Sequence, residues 1–176
     1  MTVDALNRLD RDAFVAAVGP VFEHSPWIAE RTWPLRPFAD VEALHAALRA
    51  TMYAAGPDER LALIRAHPDL VGRAAREGTL TTASAGEQAG AGLDALSTEE
   101  IALFERYNAA YRERFGFPFV ICARENRKES ILAAFPERLR HSADEEIATA
   151  LAEIARIAWF RLRDVVSSTP SDPVTR

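Results

Sequence analysis

Cysteine is almost missing from this chain: there is one, Cys122, in 176 residues. A lone thiol closes no intrachain disulfide and builds no cysteine-based metal cluster. Long apolar runs are missing as well, since none approaches the roughly 20 residues that cross a bilayer. Residues 1–8 show neither a cationic n-region nor an apolar h-region, so no signal peptide is expected. Pro173-Val174-Thr175-Arg176 carries no peroxisomal Ser-Lys-Leu address and no prenylation box. Together these absences point to a cytoplasmic protein. Basic excess is lacking too: 21 Lys and Arg against 26 Asp and Glu leave a net charge of −5. The charges are interspersed, with no basic stripe interleaved with aromatics, which argues against nucleic acid as a partner. No repeat at a fixed period and no dividing linker is found.

What is present is enough apolar material for one core. Hydrophobic residues make up 48% of the chain, and a chain of this length buries roughly 70% of its unfolded surface. The periodicity is helical almost throughout, predicting an all-α, single-domain bundle of about eight helices over residues 1–166, with a flexible tail over 167–176. Asp10 precedes a helix carrying Phe14 and Val18, and Asp40 precedes the stripe Leu44, Leu48 and Met52. A helix through Leu61 and Ile64 ends at His67, because Pro68 disfavours the α conformation in the residue before it. Pro68 can itself open a helix running to about Gly78. Gly78 to Gly92, rich in small residues, is expected to be the least regular stretch. Ser84-x-x-Glu87, Ser97-x-x-Glu100 and Ser142-x-x-Glu145 all read as capping boxes; the last two open long helices. The exception to the helical reading is the short extended apolar segment Phe117-Pro118-Phe119-Val120-Ile121-Cys122-Ala123. Its backbone groups must still be paired, either by a docked neighbour or, as the reading favoured here, partly by a ligand.

Three groups stand out as candidates for chemistry. His67 is an imidazole, which titrates near neutral pH, at a rigid His-Pro corner, as an acid/base residue requires; its bland reading is a helix cap or a satisfied core position. Glu87 has a capping role as its bland reading. The same geometry would leave the N–H groups of Ala85 and Gly86 pointing out of a helix start, where an anion or carbonyl can bind. Arg161 lies on the apolar stripe of the last helix, where an arginine needs a partner. It is either half of a buried ion pair or a guanidinium fork aimed at a planar ligand. Cys122 reads as core. Metal chemistry is disfavoured, with no Cys-x-x-Cys and no His-Glu-x-x-His.

Taken with their surroundings, these motifs carry a family likeness. Phe22-Glu23-His24-Ser25-Pro26-Trp27, Arg36-Pro37-Phe38, His67-Pro68-Asp69-Leu70, Gly78-Thr79-Leu80-Thr81, Ser84-x-x-Glu87-Gln88 and Phe115-Gly116-Phe117-Pro118-Phe119-Val120-Ile121-Cys122-Ala123-Arg124 run through nearly the whole chain. The chain resembles the OHCU decarboxylases of urate catabolism, which act on 2-oxo-4-hydroxy-4-carboxy-5-ureidoimidazoline. The resemblance implies a cofactor-free, all-α homodimer, a carboxy-lyase that converts OHCU to (S)-allantoin and carbon dioxide. It implies His67 as the acid/base residue, with Glu87 also in a catalytic role. It further implies a substrate site lined by Pro68, Ser84, Ala85, Gly86, Glu87, Gln88, the backbone of Phe119, Val120, Ile121, Cys122 and Ala123, and Arg161. The rival reading is a non-catalytic helical module that binds a purine-derived ureide or a partner protein. A ureide hydrolase, which would call for a metal or an activated nucleophile, is a further alternative.

Overall fold

The computed structural model describes residues 1–166; the tail expected over 167–176 lies outside the described residues. The described secondary structure is helical, in ten α-helical segments and three 3-10 turns. Packing groups the described residues into two compact units, one of residues 1–54 with 158–166 and the other Ala55–Ile157.

In the first unit, α1 (Val3–Asn7), α2 (Arg11–Val18), α3 (Trp27–Thr32) and α4 (Val41–Ala54) are joined by the C-terminal part of α10 (Ala143–Val165). The two aspartate caps form as the sequence predicts. Asp10 Oδ1 accepts the Ala13 N–H at 2.8 Å and Asp40 Oδ1 accepts that of Ala43 at 2.7 Å, each satisfying a donor that the first helical turn leaves without a partner. Leu44, Leu48 and Met52 recur every four residues on α4 and are fully buried with Phe14, Val18 and Ile28. Arg36 ties down the turn after α3 by donating to the carbonyls of Trp33, Asn7 and Leu9.

The second unit holds α5 (Pro57–Arg65), α6 (Arg73–Arg76), α7 (Thr82–Gly90), α8 (Thr98–Phe115), α9 (Lys128–Arg138) and the N-terminal part of α10. The capping boxes at Ser97 and Ser142 form in both directions. α8 stops at Gly116, whose φ of +74° is a left-handed conformation that closes a helix at little cost only for glycine. An aromatic cluster fills this unit: Phe104, Tyr111, Phe117, Phe119 and Phe135 are all buried. Burial of each phenylalanine contributes roughly 1.5–3 kcal/mol. The Phe119 ring stacks on Phe135 with centroids 3.9 Å apart.

Three expectations change. Pro68 opens no helix: residues 67–72 form an irregular corner, and only the single turn α6 follows. The stretch 78–92 is more regular than its composition suggests, because α7 occupies most of it. Thirdly, Ser84 caps nothing. Thr81 is the N-cap of α7, its Oγ1 accepting the Ser84 N–H at 3.3 Å. Ser84 and Glu87 are therefore interior helical residues, and the Ala85 N–H, expected to point outward, donates to Thr81 O at 2.9 Å.

Candidate active site

His67 follows the last turn of α5, and its side chain folds back on that helix. Its Nδ1 lies 2.9 Å from Leu63 O. A carbonyl oxygen only accepts, so Nδ1 carries the proton and the neutral ring keeps its basic nitrogen at Nε2. The ring is 6% exposed. The corner beyond it is clamped by side chains of two other helices. Asn108 Nδ2 on α8 donates to Leu70 O at 2.8 Å, and the Val71 N–H donates to Gln88 Oε1 on α7 at 3.1 Å. Arg112, four residues along α8 from Asn108, holds both Asp69 carboxylate oxygens at 2.9 Å. Val71 sits at φ +55°, a left-handed conformation that strains a β-branched residue by roughly 1–3 kcal/mol. Gly72 is obligatory for a different reason: a Cβ there would lie 2.7 Å from Asp69 Cβ.

On α7, Ser84, Glu87 and Gln88 share one face at i, i+3 and i+4, and all three are buried. Ala85 and Gly86 face the other way and are exposed. The structure thus brings Ser84, Glu87 and Gln88 together and leaves Ala85 and Gly86 apart from them. Because Gln88 spends its oxygen on Val71, its amide presents N–H donors to whatever else approaches. Glu87 Oε1 lies 3.6 Å from Arg124 Nε, on the 3-10 turn Ala123–Glu125.

Just before that turn runs the extended segment. The docked-neighbour alternative accounts for part of its backbone, and the partners are side chains. Arg138 Nη1 donates to Val120 O at 2.7 Å, the Cys122 N–H donates to Glu153 Oε2 at 2.8 Å, and Asn126 Nδ2 donates to Cys122 O at 2.9 Å. Successive residues of an extended chain present their polar groups to opposite sides. Val120 and Cys122 are therefore bound on one side while the Ile121 N–H and C=O face the other. Among the described residues no protein group bonds those two.

Arg138 is itself buried, and its charge is met by Glu146, which is fully buried. Arg138 Nη2 and Nε reach Glu146 Oε2 at 2.8 and 3.0 Å. The Tyr111 hydroxyl donates to the same carboxylate, and His141 Nδ1 lies 2.7 Å from its other oxygen. Burial first, and the Glu146 hydrogen bond second, hold the Tyr111 phenol far above its usual range. The Arg138 guanidinium also stacks on Phe119, 4.2 Å from the ring centroid. Cys122 is core: 1% exposed, with its thiol pushed up to about 11, chiefly by burial.

Arg161 is buried within the first unit, and Nη1 donates to Glu23 Oε2 at 2.8 Å. The neighbouring His24 has φ +46°. The ion pair is therefore present, with Glu23 as a partner that periodicity does not single out, and because a guanidinium carries five N–H donors the pair is compatible with a ligand contact as well. Arg124, Asn108 and Arg138 were also missed. Arg138 carried a readable signal, since it falls three residues after Phe135 on the inward face of α9. Among the described residues no group of three or more His, Cys, Asp or Glu side chains is placed to hold a metal ion.

The sequence profile of the family described as OHCU decarboxylase matches residues 7–163. A Haloferax volcanii protein named 2-oxo-4-hydroxy-4-carboxy-5-ureidoimidazoline decarboxylase is 45% identical over 96% of this chain and 98% of its own. A Halalkalicoccus jeotgali protein of the same name is 41% identical over 94% and 92%. A crystal structure titled (S)-allantoin synthase superposes with a TM-score of 0.74 at 28% identity; the match covers 94% of this chain and 54% of that one.

Proposed function

The chain belongs to the OHCU decarboxylase family, and from that premise we propose that it removes carbon dioxide from OHCU to give (S)-allantoin. The observation that carries the reading is the match across residues 7–163, with a buried imidazole fixed by its Nδ1 at the His67 motif position.

The reaction breaks the bond from the hydroxyl-bearing ring carbon to its carboxylate. The electron pair moves into the adjoining C=N, leaving an enol and an anionic ring nitrogen. The hydroxyl then gives up its proton as it becomes a carbonyl, the ureido-bearing carbon takes one proton on one face, and the anionic ring nitrogen takes another, so one proton is taken up from solvent for each carbon dioxide released. We assign His67 to this proton traffic, with Nε2 as the exchanging atom. Glu87 and Gln88 orient the hydroxyl and ureido groups, one as an acceptor and the other as an amide donor. The outward Ile121 backbone groups offer a further donor and acceptor to the planar ureido side of the substrate. Arg161 is assigned to stabilising the anion, as preorganised donors do where charge develops. We further propose a cytoplasmic homodimer, which the half-buried Trp159 and Phe160 on α10 support.

The test is stereochemical. OHCU generated in situ from urate decays unaided to racemic allantoin, so circular dichroism separates catalysis from background. Rapid appearance of the (S)-allantoin signal, abolished in folded His67→Asn, is the expected result. A flat signal from folded wild-type protein would remove the decarboxylase reading. Full activity in His67→Asn would remove only the histidine assignment.

A further inference from the structure

Glu87 is a carboxylate in the interior of α7, 9% exposed and several residues past the Thr81 cap. At that depth neither the helix start nor bulk water holds its direction, and a buried carboxylate needs a fixed counter-charge. The cation at its side is Arg124, with Nε 3.6 Å from Glu87 Oε1 and the side chain about one-third exposed. Arg124 does not reach in from a loose loop. It is the middle residue of the 3-10 turn Ala123–Glu125, closed by Glu125 N–H donating to Cys122 O at 3.1 Å and Asn126 N–H donating to Ala123 O at 3.2 Å. The turn is anchored upstream by the Cys122–Glu153 bond and downstream by Asn126 Nδ2 on Cys122 O. A planar guanidinium on a fixed turn, against one oxygen of a carboxylate on a fixed helix, sets how that carboxylate rotates.

We propose that Arg124 is a positioning residue for the decarboxylation: by pairing with Glu87 it sets the direction in which the carboxylate is presented to substrate. The inference rests on the decarboxylase reading and on Glu87 as a substrate-contacting group.

The experiment is a cycle of Arg124→Met, Glu87→Gln and the double variant, with Arg124→Lys alongside, assayed for (S)-allantoin formation from OHCU. Loss of aim should lower kcat/KM in Arg124→Met by roughly tenfold to a hundredfold, the scale of a misplaced reacting group, measured well below the melting temperature because stranding the buried Glu87 carboxylate also costs stability. Arg124→Lys should recover most of that loss. In the Glu87→Gln background, Arg124→Met should change kcat/KM by less than about twofold, because the residue acts through Glu87. If Glu87→Gln turns over too slowly to measure, the dissociation constant of (S)-allantoin across the same four proteins closes the cycle. Effects that multiply in the double variant would overturn the inference, as would an Arg124→Met enzyme at the wild-type rate. A wild type inactive on OHCU would instead remove the reading on which it rests.

Discussion

Glu146→Gln removes the carboxylate that compensates Arg138, and the cost can be worked from the site. Glu146 is fully buried and takes two Arg138 nitrogens, the Tyr111 hydroxyl and His141 Nδ1. The glutamine keeps the volume but places an amide NH2 among donors, and it leaves the guanidinium buried without its counter-charge. Breaking a buried pair on one side costs about 3–5 kcal/mol. At about 2–4 °C per kcal/mol for a chain of this size, melting falls by roughly 6–20 °C. Arg138→Met should cost a similar amount, since it strands Glu146 and the Val120 carbonyl together. The two variants damage the same contact, so the double variant should fall short of the sum of the singles by about 2–3 kcal/mol. Urea unfolding of the four proteins, read by circular dichroism, measures each corner. A loss below about 1 kcal/mol in Glu146→Gln would show that solvent or a rearranged partner meets Arg138. Additive losses would equally sink the argument. Because Phe119 and Val120 rest on Arg138, kcat/KM measured well below the melting temperature should fall as well.

Three further perturbations probe other parts of the chain. Arg161→Leu should cost about 3–5 kcal/mol by stranding buried Glu23, whereas Glu23→Gln/Arg161→Leu should regain much of the stability but not the activity; recovered turnover in that double variant would refute Arg161 as a substrate-binding group. Gly72→Ala forces the Asp69 contact apart and should destabilise by about 1–3 kcal/mol, with a matching fall in turnover; wild-type melting and kinetics would show the corner to be pliable. The Cys122 thiol, raised by burial from 9.0 to about 11, contributes stability that is complete below pH 9 and is lost as pH rises towards 11, because the unfolded chain deprotonates first. Cys122→Ala should therefore lose less stability than wild type between pH 9 and 11, and identical pH profiles would contradict the assignment.

Signals confined to a few neighbouring residues were legible in the sequence. Asp10, Asp40, Ser97 and Ser142 each cap a helix by reaching an N–H three residues on, and the Leu44, Leu48, Met52 stripe is buried as its period requires. The pattern at Ser84 fails for an instructive reason. Thr81 and Ser84 are both competent caps within one turn, and local chemistry cannot choose between them. Thr81 wins here: its Oγ1 takes the Ser84 N–H, which leaves Ser84 inside the helix and buried on one face with Glu87 and Gln88. Pro68 fails in the same way. It permits a helix, but the Val71 N–H is taken by Gln88 and the Leu70 carbonyl by Asn108, partners 17 and 38 residues away. Arg161 was legible as a buried arginine in need of a partner, while Glu23, 138 residues distant, was not.

These cases share a cause that also explains why buried charge collects around the candidate site. A helix spends its backbone groups on itself, so an irregular segment packed among helices finds no ladder to join. Its N–H and C=O groups must be met by side chains long enough to reach and polar enough to pair. The backbone of residues 67–72 is met by Gln88 and Asn108, with Arg112 holding the Asp69 carboxylate, and that of residues 117–123 by Arg138, Glu153 and Asn126. Each charged clamp that is buried needs a compensating charge of its own, which is why Arg138 brings Glu146, with Tyr111 and His141 behind it. The polar cluster is thus a consequence of holding non-helical backbone in a helical protein. Non-helical backbone held in this way can present N–H and C=O groups to a ligand, whereas a regular helix spends its interior ones on itself.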